Sequence, residues 1–132
     1  MSGLDLSTSK SVADRESDGR WVDILDSQGE LYDPPVRMLI AGSYSQHYRK
    51  AQDAQRNRLI KQRRTSLTGD AVKQQQLELS AACVLKWEGV LNNGSPVDCT
   101  RESVAHMLDA CPWITRQVEE AMEDHASFFG SN

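Results

Sequence analysis

From Leu79 to Phe129 the chain is cut by helix-stopping residues into pieces too short to stand alone. Lys86-Trp87-Glu88-Gly89 closes one apolar segment, and Asn92-Asn93-Gly94-Ser95-Pro96-Val97 forms a break. Thr100-Arg101-Glu102-Ser103 opens a second helix, and Cys111-Pro112-Trp113-Ile114 restarts the chain for a last amphipathic helix reaching Phe128-Phe129. Isolated helices of this length are marginal in water, so each needs a neighbour to cover its apolar face. No catalytic constellation falls among them. The expectation is a small packing module that works through its surfaces.

The N-terminal half adds a β element. Residues 1–19 are rich in Ser and Asp and short of bulky apolar groups, which predicts a disordered tail. Trp21-Val22-Asp23-Ile24-Leu25 has strand character, Asp26-Ser27-Gln28-Gly29 supplies a turn, Glu30-Leu31-Tyr32 can return, and Val36 to Gly42 reads as another strand after the interruption at Asp33-Pro34-Pro35. This predicts a β-hairpin over residues 20–42, in an antiparallel sheet of two or three strands. Ser43 reads as the N-cap of a polar helix over residues 44–67, broken by Thr68-Gly69-Asp70. Ala71 to Leu91 reads as the core helix, carrying Val72, Leu77, Leu79, Ala82, Cys83, Val84, Trp87, Val90 and Leu91. Thr100 is the expected cap of the next helix, and Pro112 suits the first turn of the last one. The expected fold is mainly α with a small N-terminal antiparallel β element, an α+β arrangement of three to four helices. Residues 20–132 form its single helical domain.

Composition removes several function classes. The 132 residues contain no apolar run long enough for a membrane span, and Met1 to Gly19 has no apolar core of a secretory signal. Three Cys without a CxxC pair suit buried thiols in a reducing compartment. Cys99, His106, Cys111 and His125 match no zinc spacing, so no metal is expected. No Ser stands in a nucleophile elbow, and no Gly-rich phosphate loop occurs. An enzyme is not expected, nor any cofactor or catalytic residue.

Charge is segregated along the chain. Residues 1–33 are acidic, and Glu119, Glu120, Glu123 and Asp124 make the last helix acidic again. Between them Arg49, Lys50, Arg56, Arg58, Lys61, Arg63 and Arg64 stand against Asp53 alone. Such a basic helix can track a phosphate backbone, and Arg56, Arg58 and Arg63 are its candidate contacts. Against this, few aromatics are interleaved and the chain is acidic overall, with pI ≈ 5.3. A solvated face, or a face meeting acidic residues of another subunit, explains the helix more simply. A nucleic-acid-binding regulator using residues 44–64 is the alternative.

With these residues laid out, the chain resembles a tail assembly chaperone of long-tailed bacteriophages. The resemblance runs through a strand pair in Trp21 to Ile40, a Ser-x-x-Tyr-Arg opening of the basic helix at Ser45 to Arg49, and a segment ending in a Trp at Ala81 to Trp87. It continues through Gly94 to Val97, the helix start Thr100 to Glu102, the step at Pro112 to Ile114 and the terminal Phe128-Phe129. The resemblance implies a non-enzymatic protein that binds the tape-measure protein during tail tube assembly and self-associates. It implies action in the host bacterial cytoplasm and absence from the mature virion. A structural head or tail component is a further alternative. A coating protein of this kind needs an exchangeable apolar strip with charged flanks. The last helix offers Ile114, Val118, Met122 and Phe129 for the strip, all equally suited to the protein's own core. Trp113 and Phe128, at the edge of that register, are the better candidates for exposed contact.

Overall fold

In Val36-Arg37-Met38-Leu39-Ile40 buried and outward positions alternate, which makes this segment the centre of a half-buried sheet. A computed structural model of the chain describes residues 3–62 and 68–129. Helix α1 (Leu6–Asp18) precedes strands β1 (Arg20–Leu25) and β2 (Leu31–Ile40). Helices α2 (Gln46–Lys61) and α3 (Gly69–Cys83) follow, then strand β3 (Val84–Glu88) and a short hairpin of β4 (Leu91–Asn92) and β5 (Ser95–Pro96). Helices α4 (Arg101–Ala110) and α5 (Pro112–Glu123) and a 3-10 turn, His125–Phe128, complete the described residues.

The sheet is antiparallel in the order β1-β2-β3. Register puts Val22, Met38 and Trp87 on one rung facing inward, and Asp23, Arg37 and Glu88 on a rung facing outward. Arg37 reaches both carboxylates, at 3.5 and 3.7 Å, and its guanidinium lies 5.1 Å from the Trp21 ring. Helices α3, α4 and α5 cover the inner face. Val36, Met38 and Ile40 meet Leu77, Ala81, Val104, Leu108, Ile114, Val118 and Met122 there in one core.

Several expectations need correction. The described residues hold five α-helices, not three to four, and the sheet has a third strand outside the expected hairpin. That strand comes from the expected core helix, which ends at Cys83 instead of Leu91. Val84 to Glu88 combines β-branched and aromatic residues with outward Lys86 and Glu88. That pattern fits the free edge of β2, and the gain from pairing there outweighs helix continuation. Helix α2 starts from Ser45, not Ser43, because the Ser45 hydroxyl accepts from the Tyr48 N–H at 3.3 Å.

Residues 1–19, expected as a disordered tail, include α1. The helix docks through a polar clasp and needs little apolar surface. Glu16 is fully buried. Its Oε1 accepts from the Tyr44 N–H at 3.0 Å, and its Oε2 lies 2.8 Å from His125 Nδ1. The Tyr44 ring stacks on His125 with centroids 3.9 Å apart. Ser17 accepts from the Gln46 N–H at 2.9 Å. A buried carboxylate is tolerated only when partnered in this way.

Candidate interaction surface

The loop between β3 and α4 is fixed by hydrogen bonds that its sequence dictates. Thr100 and Ser103 form a reciprocal capping box, with the Ser103 N–H donating to Thr100 Oγ1 at 3.0 Å and the Thr100 N–H to Ser103 Oγ at 2.9 Å. The Ser103 hydroxyl also donates to the Asp98 carbonyl at 2.6 Å. The Trp87 indole N–H donates to the Val97 carbonyl at 2.7 Å, and the Val97 N–H donates to the Val90 carbonyl at 3.0 Å. Asn93 and Gly94 both take positive φ, as the tight turn between β4 and β5 requires.

This framework leaves two adjoining open clefts. The larger, of about 680 Å³, lies between Trp87, Val97 and the exposed side of α4 at His106 and Ala110. The smaller, of about 310 Å³, lies beside Tyr32, Pro34, Val36 and Ile114. Val90, Leu91, Met107 and Cys111 line both, so the clefts form one two-lobed apolar trough. Leu91 is 46% exposed. Gly89 marks the crossing: its φ is +82°, and a Cβ there would collide with the Pro35 carbonyl.

The trough offers contact and little chemistry. Burial raises the thiol pKa values of Cys111 in the trough and Cys99 nearby, which disfavours a nucleophilic thiolate. Cys83, in the core, is pushed up to about 12 chiefly by burial. Among the described residues no three His, Cys, Asp or Glu side chains are grouped to hold a metal ion. No helix among them is long and apolar enough to cross a membrane.

The structure distributes the sequence-derived contact residues unevenly. Val118 and Met122 are 0% and 2% exposed, and Phe128 is 9% exposed, so these three belong to the protein's own interior. That corrects the strip expected of Val118 and Met122, with Ile114 buried beside them, and the exposed contact expected of Phe128: α5 spends its apolar stripe on the sheet and on α3 and α4. Trp113 is half-buried, and its indole N–H donates to the Tyr32 hydroxyl at 2.9 Å. Phe129 is 41% exposed and lies under the Arg15 guanidinium at 5.1 Å. On α2, Arg56 pairs with Asp53 at 3.6 Å and Arg58 with Glu78 at 2.6 Å. Arg63 lies outside the described residues.

Sequence reasoning missed the residues that line the trough. Trp87, Val90 and Leu91 were assigned to the core helix, and Met107 received no role. The alternation Val84-Leu85-Lys86-Trp87-Glu88 followed by Gly89 was the available signal for a strand that turns out of the sheet at this point. Comparisons with protein-family models, curated proteins and solved structures returned no match.

Proposed function

We propose that this protein is a tail assembly chaperone of the kind found in long-tailed bacteriophages, a non-catalytic binder that shields the helical tape-measure protein while the tail tube is built. The observation that carries the reading is the open apolar trough lined from both lobes by Val90, Leu91, Met107 and Cys111. The order of motifs from Trp21 to Phe129 supports it. One motif changes its description: Ala81 to Trp87 is a helix-to-strand junction, not a helix ending in Trp. The mechanism is reversible burial of client side chains against the trough, without a nucleotide. The protein acts in the host cytoplasm, self-associates and leaves before the virion matures.

Co-expression with a tape-measure protein tests the reading. The client is expected in the soluble fraction with the native chain, and insoluble with Leu91→Glu or Met107→Glu, both variants remaining folded by circular dichroism. A client that is soluble alone, or rescued equally by both variants, defeats the proposal. Persistence of the protein in purified virions favours a structural component instead. The nucleic-acid alternative draws on α2, whose Arg56 and Arg58 are occupied by Asp53 and Glu78. Retention of DNA or RNA that falls steeply with salt favours that alternative.

A further inference from the structure

The two lobes of the trough each carry one acidic side chain. Glu102, in the first turn of α4, lines the lobe beside Trp87, and Asp33 lines the lobe beside Pro34. No Lys or Arg lines either lobe. Neither carboxylate makes an ion pair among the described residues, whereas Asp23, Glu78 and Asp124 each meet an Arg. The surface between the two acids is uncharged, formed by Val90, Leu91, Met107 and Cys111.

The Val90 carbonyl is taken by the Val97 N–H, the Val97 carbonyl by the Trp87 indole, and Leu91 and Asn92 are paired with Pro96 and Ser95. Pairing in this hairpin satisfies one side of each strand. The client of the proposed function is helical, satisfies its own backbone groups and asks only side-chain contact of the trough.

We infer that the trough selects an amphipathic helix whose apolar stripe is bounded at both ends by Lys or Arg, one cation meeting Glu102 and the other Asp33. The inference rests on the client-binding reading of the trough and adds the charge rule to it. Exposed ion pairs contribute modestly to affinity, but one in each lobe sets where the apolar stripe sits along the trough and rejects a like-charged client.

The test uses two fluorescein-labelled synthetic helices of about 20 residues, roughly 30 Å long. They share one apolar stripe and differ only in Lys or Glu at both ends. Anisotropy titrations at low ionic strength are expected to show the Lys-ended peptide binding about tenfold more tightly, with the contrast shrinking as salt is added. The Asp33→Lys/Glu102→Lys double variant reverses the preference, and Met107→Glu removes binding of both peptides. Equal affinities, with both lost in Met107→Glu, overturn the charge rule and leave the client site standing. A preference that survives the double reversal also overturns the rule, because the general acidity of the chain then reads the peptide. Failure of both peptides to bind overturns the rule together with the trough as a client site.

Discussion

Gln117 completes the backbone of Leu25. Its Nε2 donates to the Leu25 carbonyl and its Oε1 accepts from the Leu25 N–H, both at 2.8 Å. A primary amide offers the same donor and acceptor as a peptide group, so this side chain takes the place of another strand beside the end of β1. The same Nε2 reaches the Trp113 carbonyl one helical turn earlier, at 2.9 Å. Helix α5 is thereby registered to the sheet edge, and the exposed rim of β1 is closed against further pairing at this residue.

Replacing Gln117 by Ala leaves the Leu25 amide and carbonyl without these partners. The expected loss is about 1–3 kcal/mol in urea unfolding at neutral pH. Gln117→Glu keeps the acceptor for the Leu25 N–H but sets a carboxylate oxygen against two carbonyl oxygens. It is expected to unfold at lower urea than the native chain and to recover part of the difference in acid, where the new carboxyl is protonated. Native-like urea midpoints for both variants would remove Gln117 from this role.

Gly42 and Glu16 are coupled by space. A Cβ at Gly42 would strike the Glu16 carboxylate, and the Gly42 N–H donates to the Glu16 carbonyl at 3.1 Å. Gly42→Ala is expected to cost about 1–3 kcal/mol by forcing the buried carboxylate away from His125 and Tyr44. In a Glu16→Ala background the same change is expected to cost far less, since the colliding atoms are gone. Additive losses in the cycle would mean that α1 does not dock through this contact.

The elements legible in the sequence are those written locally. Thr100 announces α4, Pro112 sits in the first turn of α5, and Asn93-Gly94 makes the tight turn, each decided within a few residues. What stayed hidden depends on distant partners. Glu16 becomes a structural residue only because Tyr44 and His125 arrive beside it, and nothing near Glu16 in sequence signals that. Val84 to Glu88 is an apolar run too short for period alone to separate helix from strand, and the free edge of β2 decides it. The trough was hidden for the same reason. Its walls come from β3, the β4–β5 hairpin, α4 and the Asp33–Pro34 segment, and the apolar stripe of α5, more conspicuous in sequence, is consumed by the core.

Cys83 should be inert while the protein is folded. Its thiol is buried, and desolvation pushes its pKa up to about 12, so the thiolate is scarce at pH 8. In a Cys99→Ser/Cys111→Ser variant, iodoacetamide is expected to modify the urea-unfolded chain readily and the native chain negligibly. The raised value also sets a sign for stability. The fold retains the thiol proton more strongly than the unfolded chain, so stability falls as pH rises above about 8.5, the unfolded value, toward the folded one. Native labelling as fast as unfolded labelling would contradict the burial that this account requires.

The Arg58–Glu78 pair sets an acid-side dependence of opposite origin. The Arg58 hydrogen bond at 2.6 Å is the main cause holding the Glu78 carboxyl below its usual range. Glu78 also accepts from Gln55 Nε2 at 3.0 Å, and Gln55 reaches across from α2 to the Gln75 carbonyl at 2.8 Å. A depressed carboxylate contributes stability that is complete above its unfolded pKa, about 4.3, and is lost as pH falls through the folded value. Both groups are partly exposed, so screening limits the contribution to about 1 kcal/mol or less. Glu78→Gln is therefore expected to unfold about 0.5 kcal/mol more easily at pH 7 in low salt, with the gap closing below about pH 4 and shrinking as salt is added. Parallel urea titrations of the two proteins across this range measure it. A gap that persists unchanged in acid would assign the loss to the Gln55 contact instead of the charge pair.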